Sequence, residues 1–483
     1  MEMTPRVSNA VSAAAAAPRL DPRQQAFVQF QTGCALLQAP VGTGKTLVLA
    51  ERAAEALRRG VEPSRVLCVT FTNRAADELR HRIAAQCGGL AKKMVVRTFH
   101  SLCAWFLRCE AKRIGLPADF VIIDDDDSLD ILRAVASAHG GSLAAEGWDD
   151  PAAKLLNAIA NAKSNAVIAG GAAGRAGGVP REVFGGLDAW GRRLACAYQD
   201  ELESQHALDF ADLVFLTRSV LTSCDDIAER WVRRFSMIQV DEMQDTHMSE
   251  YLVLSRLAAG WRNLVLAGDF DQTVYEWRGS DPDRIIERFR HDFVGVRDFA
   301  LETNYRSTRT LVDAAQHVVS SYSLITKSLK ACAGARDGDP IFVHFARDAD
   351  DEAAWIARRL SGMMAAARRA RVPLRLGRIG VLARTNNRAR VISEALERAD
   401  VPHFTVDQLE FFRRQEVKDV TAHLNYVLNP ADGRSLRRML QRPKADIAAE
   451  VMERIEGAEG AGLRLADMGN LSTLREGEPF GRL

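Results

Sequence analysis

Short apolar runs recur along this chain, one closed by Asp241 and another by Gly268. Residues 34–38 (C-A-L-L-Q), 235–240 (F-S-M-I-Q-V) and 264–267 (L-V-L-A) are too short for helices and predict buried strands. Residues 46–58 (T-L-V-L-A-E-R-A-A-E-A-L-R) carry apolar positions at helical spacing, and Gly60 lies just beyond the end. Over 20–110 strand and helix patterns alternate, which predicts an α/β fold with a parallel sheet covered by helices. Residues 111–205 interrupt that alternation with a largely helical stretch and a Gly/Ala-rich loop at 169–178. The acidic run Asp124 to Asp127 precedes an apolar helical pattern and reads as a helix N-terminal cap rather than a metal site. L-D-F-A-D-L (208–213) returns the chain to the first sheet. A second α/β unit is expected from about 283, with strands at 340–345 and 379–382 and helices at 351–370 and 387–399.

With 483 residues the chain holds several domains. A formal net charge of +1 gives no support for nucleic-acid binding, so any basic track is local. Arg80, Arg82, Lys92, Lys93 and Arg97 are candidates, whereas the run 368–378 reads as a solvated face. Eight cysteines without a C-x-x-C pair argue against a zinc or iron–sulfur site and for a reduced, cytoplasmic protein. No run is long enough to span a membrane. Residues 1–19 are alanine-rich with little hydrophobic drive and are expected to form a disordered tail rather than a signal peptide.

The chemistry concentrates in three strings. A-P-V-G-T-G-K-T (39–46) follows a predicted strand and opens a predicted helix. Gly42 and Gly44 let the backbone turn its N–H groups toward phosphate oxygens, with Thr43 between them. Lys45 then reaches the β- and γ-phosphates and the Thr46 hydroxyl suits Mg²⁺, so ATP and Mg²⁺ are the expected cofactors. V-D-E-M-Q-D-T (240–246) ends a strand in two carboxylates: Asp241 suits Mg²⁺, and Glu242 suits a general base acting on water. L-V-L-A-G-D-F-D-Q-T-V-Y-E-W-R-G-S (264–280) ends a third strand, and Gln272 is placed to sense the γ-phosphate. Trp277 beside Arg278 either stacks on an unpaired base or packs in the core.

In these strings and their order the chain resembles the UvrD/Rep/PcrA family of superfamily 1 DNA helicases. L-D-P-R-Q (20–24) resembles the family's Q motif, which implies that Gln24 reads adenine. V-T-F-T-N-R-A-A-D-E-L (69–79) and R-T-F-H-S-L-C (97–103) resemble two DNA-contacting motifs, implying roles for Phe71, Asn73, Thr98 and His100. L-E-T-N-Y-R-S (301–307) implies that Tyr305 stacks on adenine and that Arg306 reaches the γ-phosphate as an arginine finger. Taken alone, Tyr305 also reads as a packed helix-start residue and His100 as a capped core histidine. The resemblance implies two RecA-like domains: 20–110 with 206–282 as subdomain 1A, 111–205 as helical insertion 1B, 283–415 as the first part of 2A, and 416–483 as the start of 2B. R-T-N-N-R-A-R (384–390) and F-F-R-R-Q-E-V-K-D-V (411–420) also match family patterns.

The chain departs from the family after about 416. A T-x-H-x-x-K-G-L-E-like string and the motif that supplies a second arginine are not found, and R-P-K-A-D-I (442–447) lacks the usual glycine. The second domain is therefore expected to be incomplete, with unpaired edges. The implied activity is ATP-dependent translocation on single-stranded DNA, with 3′-to-5′ polarity and action at single-strand/duplex junctions in repair, replication restart or recombination. The alternative is an ATP- and DNA-binding subunit, or a truncated helicase, that turns over only when a second polypeptide completes it.

Overall fold

The computed structural model describes residues 19–141, 150–168, 178–273, 279–321, 329–405, 415–428, 435–436 and 438–439. The chain divides into two compact units, one running to Gly338 and the other beginning at Asp339.

The first unit is built on six strands: β1 (Ala35–Gln38), β2 (Val66–Thr70), β3 (Val95–Thr98), β6 (Met237–Val240), β7 (Leu264–Gly268) and β8 (Arg297–Ala300), with two short pairs, β4 (Val121–Ile122) beside β5 (Ala207–Leu208) and β9 (Thr303–Asn304) beside β10 (Lys330–Ala331). The sheet order is β3-β2-β6-β7-β1-β8, and every ladder in it is parallel. Because β8 pairs with β1 in register Ala35 to Arg297, the stretch just after 283 belongs to this first sheet.

Alternation along the strands sorts their side chains to two faces. Leu36, Leu67, Val69, Ile238, Val240, Leu264 and Leu266 enter one core, and Ala35, Leu37, Val66, Cys68, Met237, Val265 and Ala267 enter the other. The helices α1 (Pro22–Gln29), α2 (Lys45–Arg58) and α3 (Asn73–Cys87) cover the second face. The first is covered by α4 (Phe99–Ile114), α8 (Phe210–Ser223), α9 (Asp225–Val232), α10 (Met248–Ala258) and α11 (Pro282–Asp292), and it runs on into the insertion helices α5 (Asp125–Ala138), α6 (Pro151–Asn165) and α7 (Ala189–Ser204).

Helix starts follow local chemistry. Asp21 caps α1 in a reciprocal capping box with Gln24, and Pro22 occupies its first turn. Asp124 accepts from the Asp127 N–H at 2.8 Å and leaves three aspartates in the first turn of α5, so the acidic run is a cap, as its pattern suggested.

The insertion is fastened by a buried charge cluster. Lys163 on α6 is fully buried and lies 2.6 Å from Asp209 and 2.7 Å from Asp212, at the start of α8. Tyr198 on α7 donates to Asp209 at 3.2 Å. Burial and then the neighbouring Asp209 push the Asp212 carboxyl up to about 6, against the pull of Lys163.

Before its end the first unit adds α12 (Arg309–Ser320). The second unit packs α13 (Ala349–Ala370) on α14 (Asn386–Arg398) through Ala353, Ala357, Leu360, Ile392, Ala395 and Leu396, and adds α15 (Gln415–Leu428). The strands expected at 340–345 and 379–382 do not form: neither stretch has a ladder partner among the described residues. Phe345 and Leu382 are 89% and 98% exposed. A short apolar run specifies a strand only where another strand is present to pair with it. No described helix is long and apolar enough to cross a membrane.

Candidate functional site

All six sheet strands run the same way, so the loops after them meet along one edge. The loop after β1 carries the glycine string. Gly42 and Gly44 sit at φ 73° and 85°, the left-handed region, and Gly44 delivers the chain into α2, whose first residue is Lys45. N–H groups at a helix start favour an anion. A Cβ at Gly42 would lie 2.5 Å from Asn304 Nδ2, so the close approach of that side chain also demands glycine.

Lys45 extends to the end of β6. Its ammonium pairs with Glu242 Oε2 and lies 3.3 Å from Asp241 Oδ1. Burial works against this ammonium, but Asp241 and Glu242 outweigh it and raise its pKa. Asp241 is buried, and burial raises its pKa although Lys45 opposes the shift. Thr46 Oγ1 stands 3.5 Å from Asp241 Oδ2. This hydroxyl and carboxylate are hard oxygen donors of the kind that hold Mg²⁺ together with phosphate oxygens. Glu242 adopts φ 57°, ψ 45°, costly for a residue with a Cβ, and turns its carboxylate back over the loop.

The end of β7 completes this side. Gln272 Nε2 donates to Asp269 Oδ2 at 2.6 Å. Gln244, to which the sequence reading assigned no role, joins the two strand ends. Its amide donates to Glu242 Oε2 at 2.7 Å and accepts from the Asp269 N–H at 3.1 Å. A Cβ on Gly268 would come within 2.6 Å of Gln244 Oε1. The only signal in the sequence was its place inside D-E-M-Q-D.

The stretch after β8 closes over the loop. The Tyr305 N–H donates to the Gly42 carbonyl at 2.9 Å. The Tyr305 ring is 50% exposed and its hydroxyl donates to Asp21 at 2.7 Å. It is therefore not a packed helix-start residue. Arg306 is exposed, and its backbone N–H donates to Asn304. Asn304 is a second residue without an assigned role: buried, it donates to the Val41 carbonyl at 2.8 Å and accepts from the Arg306 and Ser307 N–H groups. Gln24 is almost wholly buried, and its amide donates to the Thr43 carbonyl at 2.9 Å while accepting from the Asp21 N–H. It thus braces the phosphate loop directly. Thr43 turns its hydroxyl inward to the Pro40 carbonyl at 2.7 Å.

The residues expected at DNA lie farther along the same edge, after β2 and β3. Phe71 is half-buried, and Asn73 is exposed at the first position of α3. Thr98 caps α4, accepting from the Ser101 N–H at 3.4 Å. The His100 ring, half-buried, stands edge-on to Phe210 at 5.2 Å, and Phe210 is itself partly exposed. Trp277 and Arg278 lie outside the described residues. Since β3 and β2 flank β6 on one side and β7, β1 and β8 lie on the other, the two candidate sets occupy neighbouring halves of one edge.

Residues 20–294 match the UvrD/REP helicase N-terminal domain, and residues 299–483 match the UvrD-like helicase C-terminal domain. The chain is 32% identical over 437 residues to the ATP-dependent DNA helicase PcrA of Bacillus subtilis, covering 90% of this chain and 57% of that protein. It is 35% identical over 445 residues to the ATP-dependent DNA helicase UvrD1 of Mycobacterium tuberculosis, covering 89% and 55%. PcrA of Leuconostoc citreum is 32% identical over 440 residues, covering 90% and 56%. The chain thus spans a little over half the length of these relatives.

Proposed function

We propose that this chain, which belongs to the UvrD/REP helicase family, binds ATP with Mg²⁺ at the β1, β6 and β7 strand ends and hydrolyses it while engaging single-stranded DNA at the ends of β2 and β3. The observation that carries this reading is the convergence of Lys45 and Thr46, at the start of α2, with Asp241, Glu242 and Gln244, just after β6.

The β- and γ-phosphates sit on the turn at Gly42 to Gly44 and on the positive end of α2. Thr46 and Asp241 would hold Mg²⁺, which would supply positive charge to offset that of the phosphate oxygens. Phosphate draws the Lys45 ammonium off Glu242, which frees that carboxylate to take a proton from water. Gln272 orients that water, and Tyr305 offers its exposed ring to the adenine. Arg306 supplies positive charge at the γ-phosphate, a contribution on the order of 10³-fold or more in comparable sites. Phe71, Asn73, Thr98 and His100 contact the DNA strand, with Trp277 and Arg278 as further contacts. Cycles of ATP binding and release then drive movement along DNA with 3′-to-5′ polarity, the direction implied by the family.

A second reading draws on the exposed Ile341, Phe342, Val343, Phe345 and Leu382. Such an apolar set fits a subunit that turns over only once another polypeptide covers it.

Steady-state ATPase on the purified chain, with and without single-stranded DNA and beside Lys45→Ala, tests the proposal. DNA-stimulated turnover that disappears in Lys45→Ala supports it. ATP and DNA binding without turnover selects the second reading, and absence of ATP binding overturns both.

A further inference from the structure

The opposite edge of the sheet, where the strands begin, carries a charged surface that the reading above does not use. Arg65 ends the turn that leads into β2, and Arg233 and Arg234 precede β6. Arg97 lies on β3, the edge strand, and Lys92 and Lys93 stand just before it. The arginines are joined through indole rings and a shared backbone carbonyl, with the two lysines beside them in the sequence before β3. The Arg65 guanidinium stacks over Trp261 at 4.5 Å and donates to the Arg233 carbonyl at 3.4 Å. Trp261 Nε1 donates to that same carbonyl at 3.1 Å. Arg234 lies over Trp105 at 4.6 Å and Trp231 at 4.8 Å, and Arg97 lies over Trp105 at 5.0 Å.

Five cations therefore line the start of three adjacent strands, β3, β2 and β6, a span of about 10 Å, and Arg97, opposite Val69 toward the other end of β3, joins them through Trp105, over which Arg234 also lies. Arg233 reaches Glu229 at 3.5 Å, and both side chains of that pair are largely exposed. Among the described residues none of Arg65, Lys92, Lys93, Arg97 or Arg234 has a carboxylate within ion-pair distance. Stacking on indoles holds the guanidinium forks in place, so less freedom is lost when they meet an anion. A near-neutral chain that concentrates uncompensated cations here creates a local field that its net charge conceals. Trp261, 47% exposed, leaves an indole surface beside Arg65.

We propose that this charged surface is a second nucleic-acid contact, binding the phosphate backbone of a strand that passes behind the sheet, with Trp261 stacking on an unpaired base. An acidic protein segment satisfies the charge but makes no use of the exposed indole, which favours nucleic acid.

The test is fluorescence anisotropy on the full chain with DNA of about 10 and about 40 nucleotides, over a salt series; the shorter length is that of one single-strand track. Two variants are compared with wild type: Arg65→Gln/Arg234→Gln, and Lys92→Gln/Lys93→Gln, whose side chains are exposed. The long strand is expected to bind wild type more tightly and with a steeper salt slope. Each double variant should flatten that slope by about 1.4, since each lost phosphate contact contributes roughly 0.7 in a single strand. Affinity for the short strand and basal ATPase should be unchanged. Equal slopes for wild type and the lysine variant overturn the proposal, as does equally strong competition by polyglutamate. A wild-type chain that binds the short strand but gains nothing from the long one overturns the second contact alone. Binding of neither strand removes the DNA reading of the opposite edge as well.

Discussion

The Gln244 side-chain amide donates to Glu242 Oε2 at 2.7 Å. That bond holds the carboxylate at the end of β6, and the same amide reaches the backbone of Asp269 at the end of β7. Gln244→Ala leaves the phosphate loop intact but lets Glu242 rotate. We expect kcat for ATP to fall on the order of 10²-fold, the cost of a small misplacement, with KM little changed. Single-turnover and steady-state kinetics on the variant measure this split.

Asn304 acts on binding instead. Asn304→Ala strips the Val41 carbonyl of its donor and the Arg306 and Ser307 N–H groups of their acceptor. The expected loss is about 1–3 kcal/mol of stability. ATP affinity should weaken at the same time, because the Tyr305 stretch is no longer tied to the loop. Calorimetric titration with a non-hydrolysable ATP analogue, alongside thermal melting, reads both.

Glu250 makes stability depend on pH. It is buried on α10, and burial lifts its carboxyl from 4.5 to about 7, although the His247 backbone N–H pulls the other way. The folded state therefore favours the protonated acid. Its contribution is complete below pH 4.5 and is lost as pH rises through about 7. Glu250→Gln keeps an acceptor for His247 and removes the charge. The variant should match wild type at pH 4.5 and exceed it by up to about 3 kcal/mol at pH 8. Melting temperatures across this range test the sign.

Lys163 supplies a further check. Lys163→Met leaves Asp209 and Asp212 buried without their cation, at an expected cost of about 3–5 kcal/mol. Adding Asp209→Asn and Asp212→Asn removes the stranded charge while an asparagine still caps α8, so part of the loss should return. Denaturant unfolding of the single and triple variants gives the comparison.

The sequence by itself determined what depends on neighbours along the chain. Gly42 and Gly44 mark a left-handed turn because other residues are strained there, and Lys45 follows them into α2. The buried runs of β1, β6 and β7, the Asp21 and Asp124 caps, and the helices α13 and α14 were legible from periodicity and side-chain chemistry for the same reason. Only tertiary structure decided what depends on partners distant in sequence. Asn304 meets Val41 across 263 positions, and Gln24 turns its amide to Thr43. The polar, exposed β8 is a strand because β1 lies beside it, whereas the apolar 340–345, lacking such a neighbour among the described residues, is not. Periodicity reports which face of an element is apolar. It carries no record of which element arrives to pair with it, and hydrogen bonds and ion pairs are satisfied only by groups that arrive.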